Sequence, residues 1–101
     1  MTDLLAVPAN RREAITRLAA ALRPGMTVAL STHVNADGDG CGSATALARL
    51  LGQMGVRAII VNPTPWPEMF RWLLGDDVEE RSADGAAALT TVDRVIVLDI
   101  S

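Results

Sequence analysis

The sequence predicts an α/β domain with a three-layer, mainly parallel sheet and helices on both faces, on three observations. Three short apolar runs, residues 27–31, 56–61 and 94–100, lack the alternation of a half-exposed strand and read as strands covered on both sides. Helical patterns separate these runs, and strands joined through helices run parallel by right-handed crossovers. Half of the residues are hydrophobic while only 3% are aromatic, which suits Ala-, Leu- and Val-rich helices packed on a buried sheet.

Taken in order, residues 11–22 form the first predicted helix, with Asn10 as N-cap, Glu13 closing a capping box and Pro24-Gly25 as the stop. Ile15, Leu18, Ala19 and Leu22 share one face of it. Residues 27–31 (Thr-Val-Ala-Leu-Ser) follow a Pro-Gly turn and form the first strand. From residue 42 or 43 to 54, Ala44, Leu47, Leu50, Leu51 and Met54 recur at helical spacing, and Gly55 suits the position just past the helix end. Residues 56–61 are the second strand. Pro63, Pro65 and Pro67 exclude regular structure from the next segment, because each lacks an amide donor and fixes its backbone; a surface loop is expected. A short helix over residues 68–74 ends at Gly75, residues 76–84 are irregular or hold an edge strand, and residues 86–90 make a helical turn. Residues 94–100 (Arg-Val-Ile-Val-Leu-Asp-Ile) give the last strand, β-branched and without alternation.

The chain of 101 residues suffices for one core. Nine basic against twelve acidic residues give a formal charge of -3, so the broad basic footprint of a protein that tracks long nucleic acid is missing. Cys41 is the only cysteine, which excludes an internal disulfide and makes a reducing cytoplasm the expected compartment. The first ten residues lack the basic start and long apolar run of a signal peptide, and no apolar stretch reaches membrane-spanning length. A soluble protein without membrane contact is expected.

The chemistry concentrates in Ser31-Thr-His-Val-Asn-Ala-Asp-Gly-Asp-Gly-Cys-Gly-Ser43, between the first strand and the helix after it. His33, Asp37 and Asp39 place one imidazole and two carboxylates within seven residues, with no basic residue among them. Anions held that close repel, and a bound cation removes the penalty. Asp99 ends the last strand beside Ser101; a carboxylate there is costly unless it is exposed at the rim or paired. Ligands of parallel sheets bind outside the carboxyl ends of the strands, where alignment of the strands brings Asp99 toward the histidine loop. One imidazole with three carboxylates is a hard, oxygen-rich donor set suited to manganese or magnesium. Two cations sharing a carboxylate would activate a water and hold a phosphate ester, so phosphoester hydrolysis is the inference. Gly38, Gly40 and Gly42 are expected to form a tight turn with room for a phosphate near the next helix.

This run, His33-Val-Asn-Ala-Asp37-Gly-Asp39-Gly-Cys-Gly42-Ser43 after a strand and before a helix, resembles the first motif of the DHH phosphoesterases. Within them it looks most like the nano-RNases and 3',5'-bisphosphate nucleotide phosphatases, as do the proline-rich loop and the short helix after it. The resemblance spans residue 26 to the end. It implies two manganese ions, His33 and Asp37 on one, Asp39 on the other, and Asp99 bridging both as the family's second motif. Asp39 and Asp99 would then be the catalytic residues that hold the attacking water. The implied activity is hydrolysis of short single-stranded oligonucleotides from an end, removal of the 3'-phosphate of adenosine 3',5'-bisphosphate, or both, with no action on long duplexes. A homodimer is implied for the full-length form. Ala36 stands where the family usually has proline, and Gly40-Cys41 replaces a small-then-aliphatic pair; neither change removes a ligand. No Asp-His-His triplet and no Gly-rich second lobe follow Asp99. The expectation is an N-terminal part of a DHH domain, residues 1–101, without the C-terminal substrate-binding lobe and inactive alone. Within the same superfamily, a cyclic-dinucleotide phosphodiesterase or a single-strand exonuclease is the alternative.

From a different class, the alternative is a non-catalytic α/β binding module in which Asp37-Gly-Asp39 is only turn chemistry. A dinucleotide fingerprint is disfavoured, because Ser43 replaces its third glycine and the carboxylates would repel a pyrophosphate. Cys41 reads as a small core filler, Trp66 and Trp72 as residues that pack the core or an interface, and Asp76, Asp77, Glu79 and Glu80 as a solvated loop.

Overall fold

The computed structural model describes residues 6–100; Ser101, read above as standing beside Asp99, lies outside them. Two α-helices, α1 (Ala9–Ala21) and α2 (Gly38–Gln53), and four strands, β1 (Thr27–Ser31), β2 (Arg57–Ile60), β3 (Glu79–Glu80) and β4 (Arg94–Val97), occur in the order α1-β1-α2-β2-β3-β4. The 3-10 segments Glu68–Leu73 and Ser82–Leu89 flank β3, the latter kinked at Gly85. The sheet is wholly parallel in the order β3-β2-β1-β4, so the α/β architecture with helices around a parallel sheet is observed.

Strand pleat assigns alternate residues to opposite faces. Val28 and Leu30 of β1 and Ile60 of β2 meet Cys41, Ala44, Ala48 and Leu51 of α2, together with Trp66 and Leu74, in the larger core. Ala29, Ile59 and Val61 point the other way, onto Ala88 and Val92. Trp66 packs as expected and its indole N–H donates to the carbonyl of Phe70 at 2.9 Å. Trp72 lies outside the core, 74% exposed.

α2 ends as its sequence requires. Gly55 has φ of 80°, a left-handed backbone that glycine adopts at little cost. The Val56 amide reaches the Leu51 carbonyl at 2.9 Å and the Gly55 amide that of Gly52 at 3.1 Å, the paired bonds of a Schellman motif.

Four expectations are corrected. α2 starts at Gly38 rather than residue 42 or 43, so the three glycines form the helix's first turns and not a separate tight turn. Their low helix propensity hides the start, which the Asp37 side chain supplies by accepting the Gly40 amide at 2.9 Å. α1 starts at Ala9, preceded by Pro8 and without a side-chain cap; Asn10 lies inside it, and none of its residues is buried. β4 is an edge strand with Val95 and Val97 half exposed, not a strand covered on both faces. The acidic run is paired rather than merely solvated: Asp77 binds Arg49 through two contacts of 2.8 and 2.9 Å, and Glu79 binds Arg57 at 2.8 and 3.1 Å.

Candidate metal centre

β1 is an interior strand with Val28, Ala29 and Leu30 fully buried, and the chain leaves its carboxyl end through Thr32, His33 and Asn35 to Asp37. β4 pairs with β1 in parallel, Ser31 opposite Val97, so Asp99 emerges at the same rim two residues past that pair. The structure brings three of the four predicted ligands together. His33 Nε2 lies 3.6 Å from Asp37 Oδ2 and 3.6 Å from Asp99 Oδ2, and one donor atom from each residue lies within 4.8 Å of the others. Two ligands each about 2.0–2.1 Å from one small divalent ion stand no more than about 4.2 Å apart; both contacts to the imidazole meet that limit. A nitrogen and two carboxylate oxygens on a solvent-facing rim thus fit a hard divalent cation. Asp39 is not in this cluster; it projects from the first turn of α2 and is exposed.

Local bonds orient two of the candidate donors, Asp37 and His33. Asp37 divides its oxygens: Oδ1 accepts the Gly40 amide at 2.9 Å, while Oδ2 faces His33. That amide bond, followed by the nearby imidazole, lowers its pKa below the ordinary value. His33 Nδ1 donates to the Val34 carbonyl at 2.8 Å, and since a carbonyl only accepts, the neutral ring presents its lone pair at Nε2. The Val34 bond, and then the charges of Asp37 and Asp99, raise the His33 pKa against a partial opposing effect of desolvation. Asp99 takes φ of 55° and Asn35 φ of 56°, left-handed conformations that Asp and Asn tolerate better than most residues. Both turns carry the chain off a strand end toward the site.

Several residues that support this rim went unread in the sequence. Asn62 Oδ1 accepts the Thr32 amide at 3.1 Å, and the Asn62 amide donates to Ser82 Oγ at 2.8 Å. Thr64 Oγ1 accepts the Asn35 amide at 2.8 Å. Gly40 lets α2 lie against Thr32, since a Cβ at Gly40 would stand 2.9 Å from Thr32 Oγ1. Polar residues bordering the prolines, Asn62 and Thr64, are the only sequence signal for these bonds. Cys41 is the buried filler expected, and burial raises its thiol pKa.

A cleft of about 410 Å³ opens between Ser31, Asn62, Pro63, Ser82 and Leu89 and includes none of the four predicted ligands. Among the described residues no helix is long and apolar enough to cross a membrane. No protein-family model, no curated protein and no solved structure matches the chain.

Proposed function

We propose that this chain carries the metal-binding part of a manganese-dependent phosphoester hydrolase of the DHH type, acting on short oligonucleotides, on adenosine 3',5'-bisphosphate, or on both. The observation that carries the proposal is the convergence of His33, Asp37 and Asp99, donors from two separate strand ends, on one solvent-facing point. In this reading His33 Nε2, Asp37 Oδ2 and Asp99 hold one cation, and Asp39 contributes to a second that shares Asp99. When bound, such cations lower the pKa of a coordinated water and offset the charge of a phosphate ester. The protein's own contribution is positional: the capped start of α2 holds Asp37, the Val34 carbonyl sets the imidazole tautomer, and the rim stays open to solvent for an anionic substrate. A formal charge of -3 favours short substrates, whose phosphates the metal alone can neutralise, over long duplexes. A cytoplasmic location accompanies the same reading.

One observation favours the non-catalytic module: Asp37 already has a structural task as the cap of α2. Asp99 separates the two readings, because it meets His33 at the surface and caps no helix. Manganese titration by calorimetry is expected to show binding in the wild type and none in Asp99→Asn, with folding retained. Binding is then followed by assays on a dinucleotide and on adenosine 3',5'-bisphosphate. Equal manganese binding by wild type and Asp99→Asn, or none by either, would leave the module reading in place.

A further inference from the structure

We propose that the Thr64 hydroxyl is a positioning group for His33, acting through the single peptide group that joins Val34 to Asn35. That peptide is held at both ends. Its N–H, on Asn35, donates to Thr64 Oγ1 at 2.8 Å, and its C=O, on Val34, accepts from His33 Nδ1 at 2.8 Å. The second bond keeps the ring proton on Nδ1, so that Nε2, the atom facing Asp37 and Asp99, carries the lone pair. The two bonds depend on one another, because rotation of the peptide plane breaks both. Asn35 is the residue of the loop with φ of 56°, a conformation that persists when its surroundings fix it.

Thr64 is suited to fixing it. It stands between Pro63 and Pro65, whose locked φ angles stiffen the loop. That loop is anchored at its start by Asn62 and at its far side by Trp66, 3% and 4% exposed. Asn62 in turn holds the Thr32 amide, so the residues on either side of the His33-Val34 pair are both bonded to the loop that follows β2. A segment from one strand thereby sets the tautomer of an imidazole on the next. Thr64 is not among the candidate ligands, and its consequence for metal affinity rests on the proposed function; its effect on the tautomer does not.

His33 is the only histidine, so nitrogen-15 spectra of the metal-free protein contain one imidazole. With the ring neutral, at about pH 9, the wild type is expected to show the Nδ1–H tautomer. Thr64→Ser retains it. Thr64→Val and Thr64→Ala shift it toward Nε2–H and weaken Mn2+ affinity, read by electron paramagnetic resonance, roughly tenfold. Thr90→Val, which removes a hydroxyl bonded to the Ala87 carbonyl, changes neither readout. A folded Thr64→Val or Thr64→Ala protein that keeps the wild-type tautomer, or one that loses it without loss of Mn2+ affinity, would overturn the proposal, as would a wild type in the Nε2–H form. A wild type with the Thr64-dependent tautomer but no Mn2+ binding would instead remove the proposed function and leave the positioning of His33 standing.

Discussion

His33 and Asp99 are almost equally exposed, at 37% and 36%, yet the strands that lead to them, β1 and β4, differ sharply in burial. Val28, Ala29 and Leu30 are 0% exposed, with strands hydrogen-bonded on both sides. The loop beyond them is tied to Asn62 and Thr64 and closed by the Asp37 cap. Among the described residues β4 has one neighbour, its Val95 and Val97 are half exposed, and Ile100 beyond Asp99 is 64% exposed. The centre is therefore built from one rigid half and one lightly held half. The other sheet edge differs again: β3 is two residues long and its Glu79 is paired with Arg57, a short charged edge of the kind that resists further pairing, whereas β4 offers valines. Two of the candidate donors come from the braced loop and one from the edge.

The sharpest way to break this comparison is to truncate an equivalent apolar residue on each half. Leu30→Ala empties a site in the middle of the larger core and is expected to destabilise by about 2–5 kcal/mol, read by urea unfolding. Val97→Ala, half exposed on the edge, is expected to cost under about 1 kcal/mol. Equal losses would mean that β4 is as well supported as β1.

A smaller effect tests the fit of α2 against the rim. Gly40→Ala places a methyl 2.9 Å from the buried Thr32 hydroxyl. Overpacking costs typically about 1–3 kcal/mol, and the gain in helix propensity, up to about 1 kcal/mol, offsets only part of it. Gly42→Ala meets nothing within 4 Å and should stabilise by about 0.5–1 kcal/mol. Adding Thr32→Ala to the Gly40 variant should restore part of its loss in the same unfolding measurement; opposite signs for the two glycine variants are the outcome that matters.

The smallest effects lie in the charges. Asp37→Ala removes the cap of α2 and should lower the melting temperature, while Asp99→Asn, whose partner contact is exposed, should leave it nearly unchanged. Both should move the titration of the single imidazole. The His33 pKa is raised above its ordinary 6.5, so the stability it contributes is fully present below 6.5 and is lost as pH rises through the folded value. Asp37, lowered from 3.8, contributes stability above 3.8 that is lost as pH falls through its folded value. On the proposed function a metal ion needs the neutral ring, so Mn2+ binding should tighten as pH rises through the His33 midpoint. Nuclear magnetic resonance titration should place that midpoint above 6.5 in the wild type and lower in each carboxylate variant. A midpoint unmoved by Asp99→Asn would mean that the two strand ends do not communicate.

How far the sequence could be read varied with the range of the forces involved. β1 was legible to the residue, and the Gly55 stop of α2 with it, because a short apolar run between turn residues and a glycine at a left-handed position are local matters. His33, Asp37 and Asp99 were legible as metal-ligand types, and the parallel topology that aligns β1 with β4 follows from alternating helices and strands. The start of α2 was not, since three glycines disfavour a helix locally and only the Asp37 cap and packing on the sheet reverse that preference. Nor could local pattern show that α1 buries none of its residues or that β4 lies at an edge, because both depend on which partner each surface meets. Apolar runs, turn residues and donor types are local, and they carry the layer architecture and the donor chemistry of the rim. The bracing of the histidine by the proline-rich loop is not local, because hydrogen bonds spanning some thirty residues, Asn62 to Thr32 and Thr64 to Asn35, exist only once β1 and β2 lie side by side.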